Sequence, residues 1–233
     1  MVCLLAVVLI TGLPLSSASS PDDARWKLLG LQPSDVPSGF VQTVSQPFPN
    51  KVASKAVNAS PDFYDKLGRV GGYHTAYRRR LAVKLFYLDS YISAFRTQAD
   101  AQRLQAIDAK GIIRFTGYGA YFKPLPAVQL GDRARAYSVT YPGRGRTYTV
   151  IVLYLRRGVL AAALDAQGFA GTFTLAQVVA LGRIVDTLFR RQQAAGQRSV
   201  DASLFHAAFS SGAGTPSSSN CRTSLRGVVE CRP

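Results

Sequence analysis

A chain of 233 residues with 47% hydrophobic, 18% charged and 10% aromatic residues is not a disordered, collagenous or multi-pass membrane protein. Its length suits one domain with tails, and a core of roughly 150 residues can fold without staples. The 28 basic against 13 acidic residues leave a net charge of +15, carried by 21 Arg and 7 Lys, which would draw the chain toward polyanions.

The N-terminal segment carries no charge over its first 20 residues. Residues 2–15 form an apolar run too short for a comfortable membrane span, and Ser16-Ser17-Ala18 supplies the small residues of a cleavage site. This pattern predicts a secretory signal at 1–18, cut after Ala18, and hence a secreted or extracytoplasmic location. The run lacks a preceding Lys or Arg, so an N-terminal membrane anchor is the alternative. Cys3 has no lipobox before it. With the signal removed, two cysteines remain, Cys221 and Cys231; an even count in an exported chain reads as one disulfide.

Residues 19–25 read as a polar linker and 26–195 as the folded domain. The proline-punctuated turn at 32–40 leads into a strand at 40–45. Asn50 is placed to cap a short helix reaching Val57, and Ser60-Pro61 to open a second that Gly68 ends. The β-rich stretch 70–91 predicts two strands bending near Arg78-Arg79-Arg80, with Tyr73, Thr75 and Tyr77 on one face. Thr97 opens a helix to about Ala109. Residues 112–122, aromatic and glycine-spaced, fit no single element. Strands at 134–141 and 146–155, joined through Pro142-Gly143-Arg144-Gly145, and a third at 159–164 form a meander. Thr174-Leu175-Ala176-Gln177 is a capping box. It starts a helix to about Ala194 that packs Leu181, Val185 and Leu188 on the sheet, with Gly196 closing it. Residues 196–233 read as a flexible Ser/Gly-rich tail holding the cysteines. The sum is an α+β fold: an antiparallel sheet with a C-terminal meander, packed by helices including a long terminal one.

Short motifs add a family resemblance. Leu31, Asp35-Val36-Pro37-Ser38-Gly39-Phe40, Gly68-Arg69 with Tyr73, and Gly131-Asp132 resemble a pattern in poorly characterised exported bacterial proteins. These are similar to the PsbP-like α/β/α sandwich that includes the LpqN-type lipoproteins. The resemblance spans roughly residues 28–192, excludes the cysteine tail and brings no catalytic residues with it.

The search for chemistry is mostly negative. There is no HExxH motif, cysteine/histidine zinc spacing, nucleophile elbow or phosphate loop, and no cofactor is expected. His74, between strand tyrosines, reads as a packing residue. A serine assembled in space with His74 and Asp89 would make a hydrolase. Asp62 and Asp65, on a short helix, and Asp22-Asp23 read as caps and solvated charges. Arg78, Arg79, Arg80, Arg114 and Lys123, interleaved with tyrosines, are candidate polyanion contacts, although the dispersed charge also fits a solvated basic surface. The expected function is that of an exported non-enzymatic domain binding a ligand or partner at the cell envelope. The alternatives are an exported hydrolase with a spatially assembled site and a cationic polyanion-binding module. The sequence names no partner; an acidic envelope polymer or envelope protein is the expected kind, and the cationic module would hold acidic envelope polymer or nucleic acid by charge alone.

Overall fold

The computed structural model describes residues 21–57, 59–79, 85–104, 123–143, 145–210, 221–223 and 229–231. The segment expected to be a signal, Arg80, Arg114 and all of 112–122 lie outside them, as does the end of the helix expected to reach Ala109. In chain order the elements are α1 (Pro21–Lys27), β1 (Phe40–Pro47), α2 (Asn50–Ala56), α3 (Phe63–Lys66), β2 (Arg69–Arg79) and β3 (Leu85–Phe95). A helical segment α4, described over 98–104, follows. Then come β4 (Lys123–Pro124), β5 (Arg133–Gly143), β6 (Arg146–Arg157), β7 (Leu160–Phe169), α5 (Leu175–Ser210), β8 (Cys221–Thr223) and β9 (Val229–Cys231). The chain forms two compact units, Met1–Arg190 and Arg191–Pro233. Among the described residues no helix is long and apolar enough to cross a membrane.

The first unit is an α+β structure around one seven-stranded antiparallel sheet ordered β1-β2-β3-β7-β6-β5-β4. Two meanders, β1–β3 and β4–β7, are joined by the pairing of β3 with β7. Strand alternation divides the side chains between two faces. Tyr77, Leu88, Ile92, Leu164, Leu153 and Leu155 lie on one face, buried in the main core. α5 covers that face with Val178, Leu181, Val185 and Phe189, and the chain after α1 adds Leu29 and Leu31. The capping box is formed: Thr174 N–H donates to Gln177 Oε1 (2.9 Å), and Gln177 N–H to Thr174 Oγ1 (3.4 Å). At the other sheet end, α4 and α3 enclose a small cluster of Leu67, Phe95, Ala101 and Leu104.

The quoted turn motifs are structural fixtures. Asp35 Oδ2 accepts the Gln32 N–H (2.8 Å) and pins the turn before β1. Gly131 sits at φ 60°, and a Cβ there would lie 2.2 Å from the Arg156 carbonyl oxygen, so only glycine fits. The next residue, Asp132, accepts from Gly158 N–H (2.7 Å) and Arg156 Nη1 (3.0 Å) and locks the β6–β7 turn. Arg69 is buried between the Phe48 and Tyr64 rings, at 5.6 and 5.3 Å. Its Nη1 donates to Phe48 O (2.8 Å) and Asn50 Oδ1 (2.6 Å), and its Nε to Ser93 Oγ (2.9 Å).

Four local expectations need correction. Ser60-Pro61 does not open α3, whose cap position is Asp62, ahead of Phe63. Residues 19–25 are not all linker, because α1 begins at Pro21; proline at a first helical position followed by two acids suits a helix N-terminus. Asn50 does not cap α2. Pro49 holds the cap position without a side-chain bond, and the Asn50 amide donates instead to Asp65 Oδ1 (2.6 Å) and Arg69 O (2.7 Å). The last helix does not end at Ala194 but passes through Gly196 to Ser210. A single interior glycine costs only about 1 kcal/mol relative to alanine, too little to stop a helix whose neighbours favour it.

In the second unit β8 and β9 pair antiparallel, with Cys221 opposite Cys231 in the register.

Candidate ligand-binding face

The sheet face turned away from α5 is the unusual one. Because Leu88 and Ile92 of β3 point into the core, their neighbours Tyr87, Asp89 and Tyr91 point to the opposite side. His74 on β2 and Asp165 on β7 share that side: Tyr91 is the register partner of His74, and Asp165 that of Asp89. Two carboxyl groups therefore face each other across adjacent central strands, an arrangement that is destabilising unless something offsets it.

The two carboxyls have unequal surroundings. Asp89 is buried and held by donors: His74 Nε2–H to Oδ1 (2.7 Å) and the Tyr91 hydroxyl to Oδ2 (3.3 Å). The bond to a carboxylate puts the proton on Nε2 of His74. The His74 ring stacks on Tyr91 with centroids 4.3 Å apart and planes 13° from parallel. Phe48 packs against both rings, at 5.6 and 5.3 Å. Asp165 has no such support. Its Oδ1 is fully enclosed and makes no hydrogen bond. Burial, and then the neighbouring Asp89 charge, push its pKa up to about 7. Burial and Asp89 likewise raise the Tyr87 and Tyr91 hydroxyls beyond the ordinary tyrosine range, so both stay neutral donors.

Arg78 flanks the pair, its guanidinium 5.3 Å from the Tyr87 ring centroid. Beyond Asp165 lie its β6 partner Val152 and, opposite that, Tyr137 of β5. Among the described residues no group of three or more metal-type ligands is present. Two neutral tyrosine hydroxyls, an orienting His–Asp pair and a carboxyl pushed up to about 7 can bind a polar ligand or move a proton.

The sequence had paired His74 with Asp89 as part of a hydrolase alternative. The two are hydrogen-bonded, but among the described residues no serine or threonine hydroxyl bonds to His74. Ser90, next to Asp89, lies on the core face, fully buried. Asp165 belongs to no motif of the sequence. Its signal was a lone acid among the small residues of Ala161-Ala162-Ala163-Leu164-Asp165-Ala166, which a strand carries in its interior only at a cost.

The candidate polyanion contacts do not converge within the described residues. Arg78 and Arg79 alternate: Arg78 lies over Tyr87, whereas Arg79 lies 5.9 Å from the Phe40 ring and donates to the Ser38 carbonyl (3.0 Å). Lys123 is exposed on β4, at the far edge of the sheet. It stands five strand spacings from Arg78, about 24 Å at about 4.8 Å per strand. Arg80 and Arg114 lie outside the described residues. Asp62 pairs with Lys66 (2.5 Å), and Asp65 accepts from Asn50.

No protein-family model matches the chain, and no curated protein matches it by sequence. Its fold is similar to that of the extracellular domain of PknH from Mycobacterium tuberculosis. The TM-score is 0.53 at 12% identity, over 72% of this chain and 96% of that one. At that identity the likeness is one of fold.

Proposed function

We propose that this chain is an exported, non-enzymatic domain that binds a ligand or partner at the cell envelope through the sheet face bearing Asp89 and Asp165. The observation that carries the reading is the opposed carboxyl pair with one oxygen left without a partner. A fold gains nothing from such a pair, and sites that cost stability are characteristic of function. The likeness to an extracellular domain supports the envelope location, and the turn motifs support kinship with the PsbP-like, LpqN-type proteins. The hydrolase reading has one observation in its favour, the His74–Asp89 bond; it lacks a nucleophile among the described residues. A pull-down from native envelope material, with mass spectrometry of what is retained, tests the ligand reading. The wild-type protein is expected to retain a species that Asp165→Asn loses. Equal retention by both proteins, or none by either, overturns the reading.

Export implies two covalent features. The signal is proposed to be cut after Ala18, and Cys221 to be joined to Cys231; the β8–β9 register supports the second. The intact mass of protein recovered from the medium is expected to match a chain from Ser19 with one disulfide. Protein retained in the membrane fraction with Met1 in place would overturn the cleavage.

A further inference from the structure

We infer that the ligand of this face is an organic cation carrying an ammonium group, received at the opposed Asp89 and Asp165 carboxyls beside the Tyr87 and Tyr91 hydroxyls. This inference rests on the ligand-binding reading above. It adds the chemical class.

Three observations carry it. First, the register sets Asp89 and Asp165 directly opposite each other, so their charges add at one point between the strands. Secondly, the two carboxyls are not spent on each other. The Asp89 oxygens face His74 and Tyr91, while Asp165 Oδ1 is enclosed and accepts nothing. An acceptor without a donor is completed by a ligand that brings one. Thirdly, Tyr87 and Tyr91 stand on the same face two residues either side of Asp89, and a tyrosine hydroxyl can accept a hydrogen bond from an ammonium N–H. A neutral hydroxyl could supply a hydrogen bond, but it would leave the carboxylate repulsion in place. An ammonium supplies both the donor and the balancing charge.

Several other charged and titratable groups share this face, Tyr154 of β6 and Arg135 and Tyr137 of β5 among them, and those nearest the pair are engaged. On β2, His74 is bound to Asp89 and Arg78 lies over Tyr87. On β6, Arg156 is bound to Asp132 (3.0 Å). No described basic side chain is bonded to Asp165 Oδ1.

A cation binds the doubly ionised pair, so binding displaces the proton that Asp165 otherwise holds. Affinity must then rise with pH through neutrality. The same proton uptake and release makes the enthalpy of binding depend on the ionisation enthalpy of the buffer.

The test is a thermal-shift titration of the mature full chain with butylammonium, tetramethylammonium and glucose, at about pH 6 and about pH 8. Butylammonium is expected to raise the melting temperature by several degrees at about pH 8 and by less at about pH 6. Tetramethylammonium, which has charge but no N–H, is expected to give a smaller rise, and glucose none. Asp165→Asn is expected to abolish the butylammonium shift, whereas Asp62→Asn, an exposed acid paired with Lys66, keeps it. A shift with glucose alone overturns the cation assignment and leaves the ligand-binding reading standing. A butylammonium shift that survives Asp165→Asn, or no butylammonium shift at either pH, also overturns the assignment. The envelope pull-down decides the broader reading separately, because it does not depend on which small molecule was chosen here.

Discussion

Asp165→Asn is expected to melt higher than the parent at about pH 8, and the two proteins are expected to converge near pH 4. The folded-state pKa of Asp165 is raised from 3.8 to about 7, so folding favours its protonated form. The penalty is fully present above about pH 7, where folding must bury an ionised carboxylate beside Asp89. It is relieved as pH falls toward the unfolded value, where both states hold the proton. At about 1.4 kcal/mol per pH unit, the rise to about 7 caps the penalty at roughly 4 kcal/mol, and the partial exposure of Asp165 lowers the net figure. Asparagine keeps the shape and removes the charge. For a chain of this size a gain of 2–4 kcal/mol corresponds to about 5–15 °C in melting temperature. Melting curves of both proteins across this pH range settle it. Parallel profiles would mean that the Asp89–Asp165 pair costs nothing, and the main argument for a functional face would fall with it.

That carboxyl pair shows what a sequence hides. The local signals were legible: the glycine and proline turns delimited the meander, and Thr174 with Gln177 marked the start of α5. Gly131-Asp132 and Asp35 announced turns because the side chain or the missing Cβ acts within a few residues. The pairing of β3 with β7 has no such local signature. It joins two meanders far apart in sequence, and the facing of Asp89 and Asp165 exists only through that register. His74 and Asp89 sit on strands joined by a short connection, so their bond was within reach of sequence reasoning. Asp165 was not, because its partner could not be known. The helix end failed for the opposite reason: Gly196 is a local signal, but too weak to outweigh the helical preference around it.

The same contrast sets the largest expected loss of stability, which falls in α5. Helical spacing from the capping box suggested Leu181, Val185 and Leu188 as the buried row. The fold keeps the first two, but Phe189 takes the deepest position: it is fully buried, whereas Leu188 is only partly so. Positions 178, 181, 185 and 189 form the i, i+3, i+7, i+11 row that meets the sheet, and a ring at its end fills more space than Leu188 can reach. Phe189→Ala removes most of a buried aromatic side chain and leaves a cavity that rigid strands cannot close. The expected cost is about 3–5 kcal/mol. Leu188→Ala, at the margin of the same contact, is expected to cost about 1–2 kcal/mol, since less area leaves water there. Chemical denaturation of the two variants beside the parent gives the comparison directly. If Leu188→Ala proves the more damaging, α5 is rotated by about one residue from the orientation described, and the assignment of core and ligand faces along its length has to be redrawn.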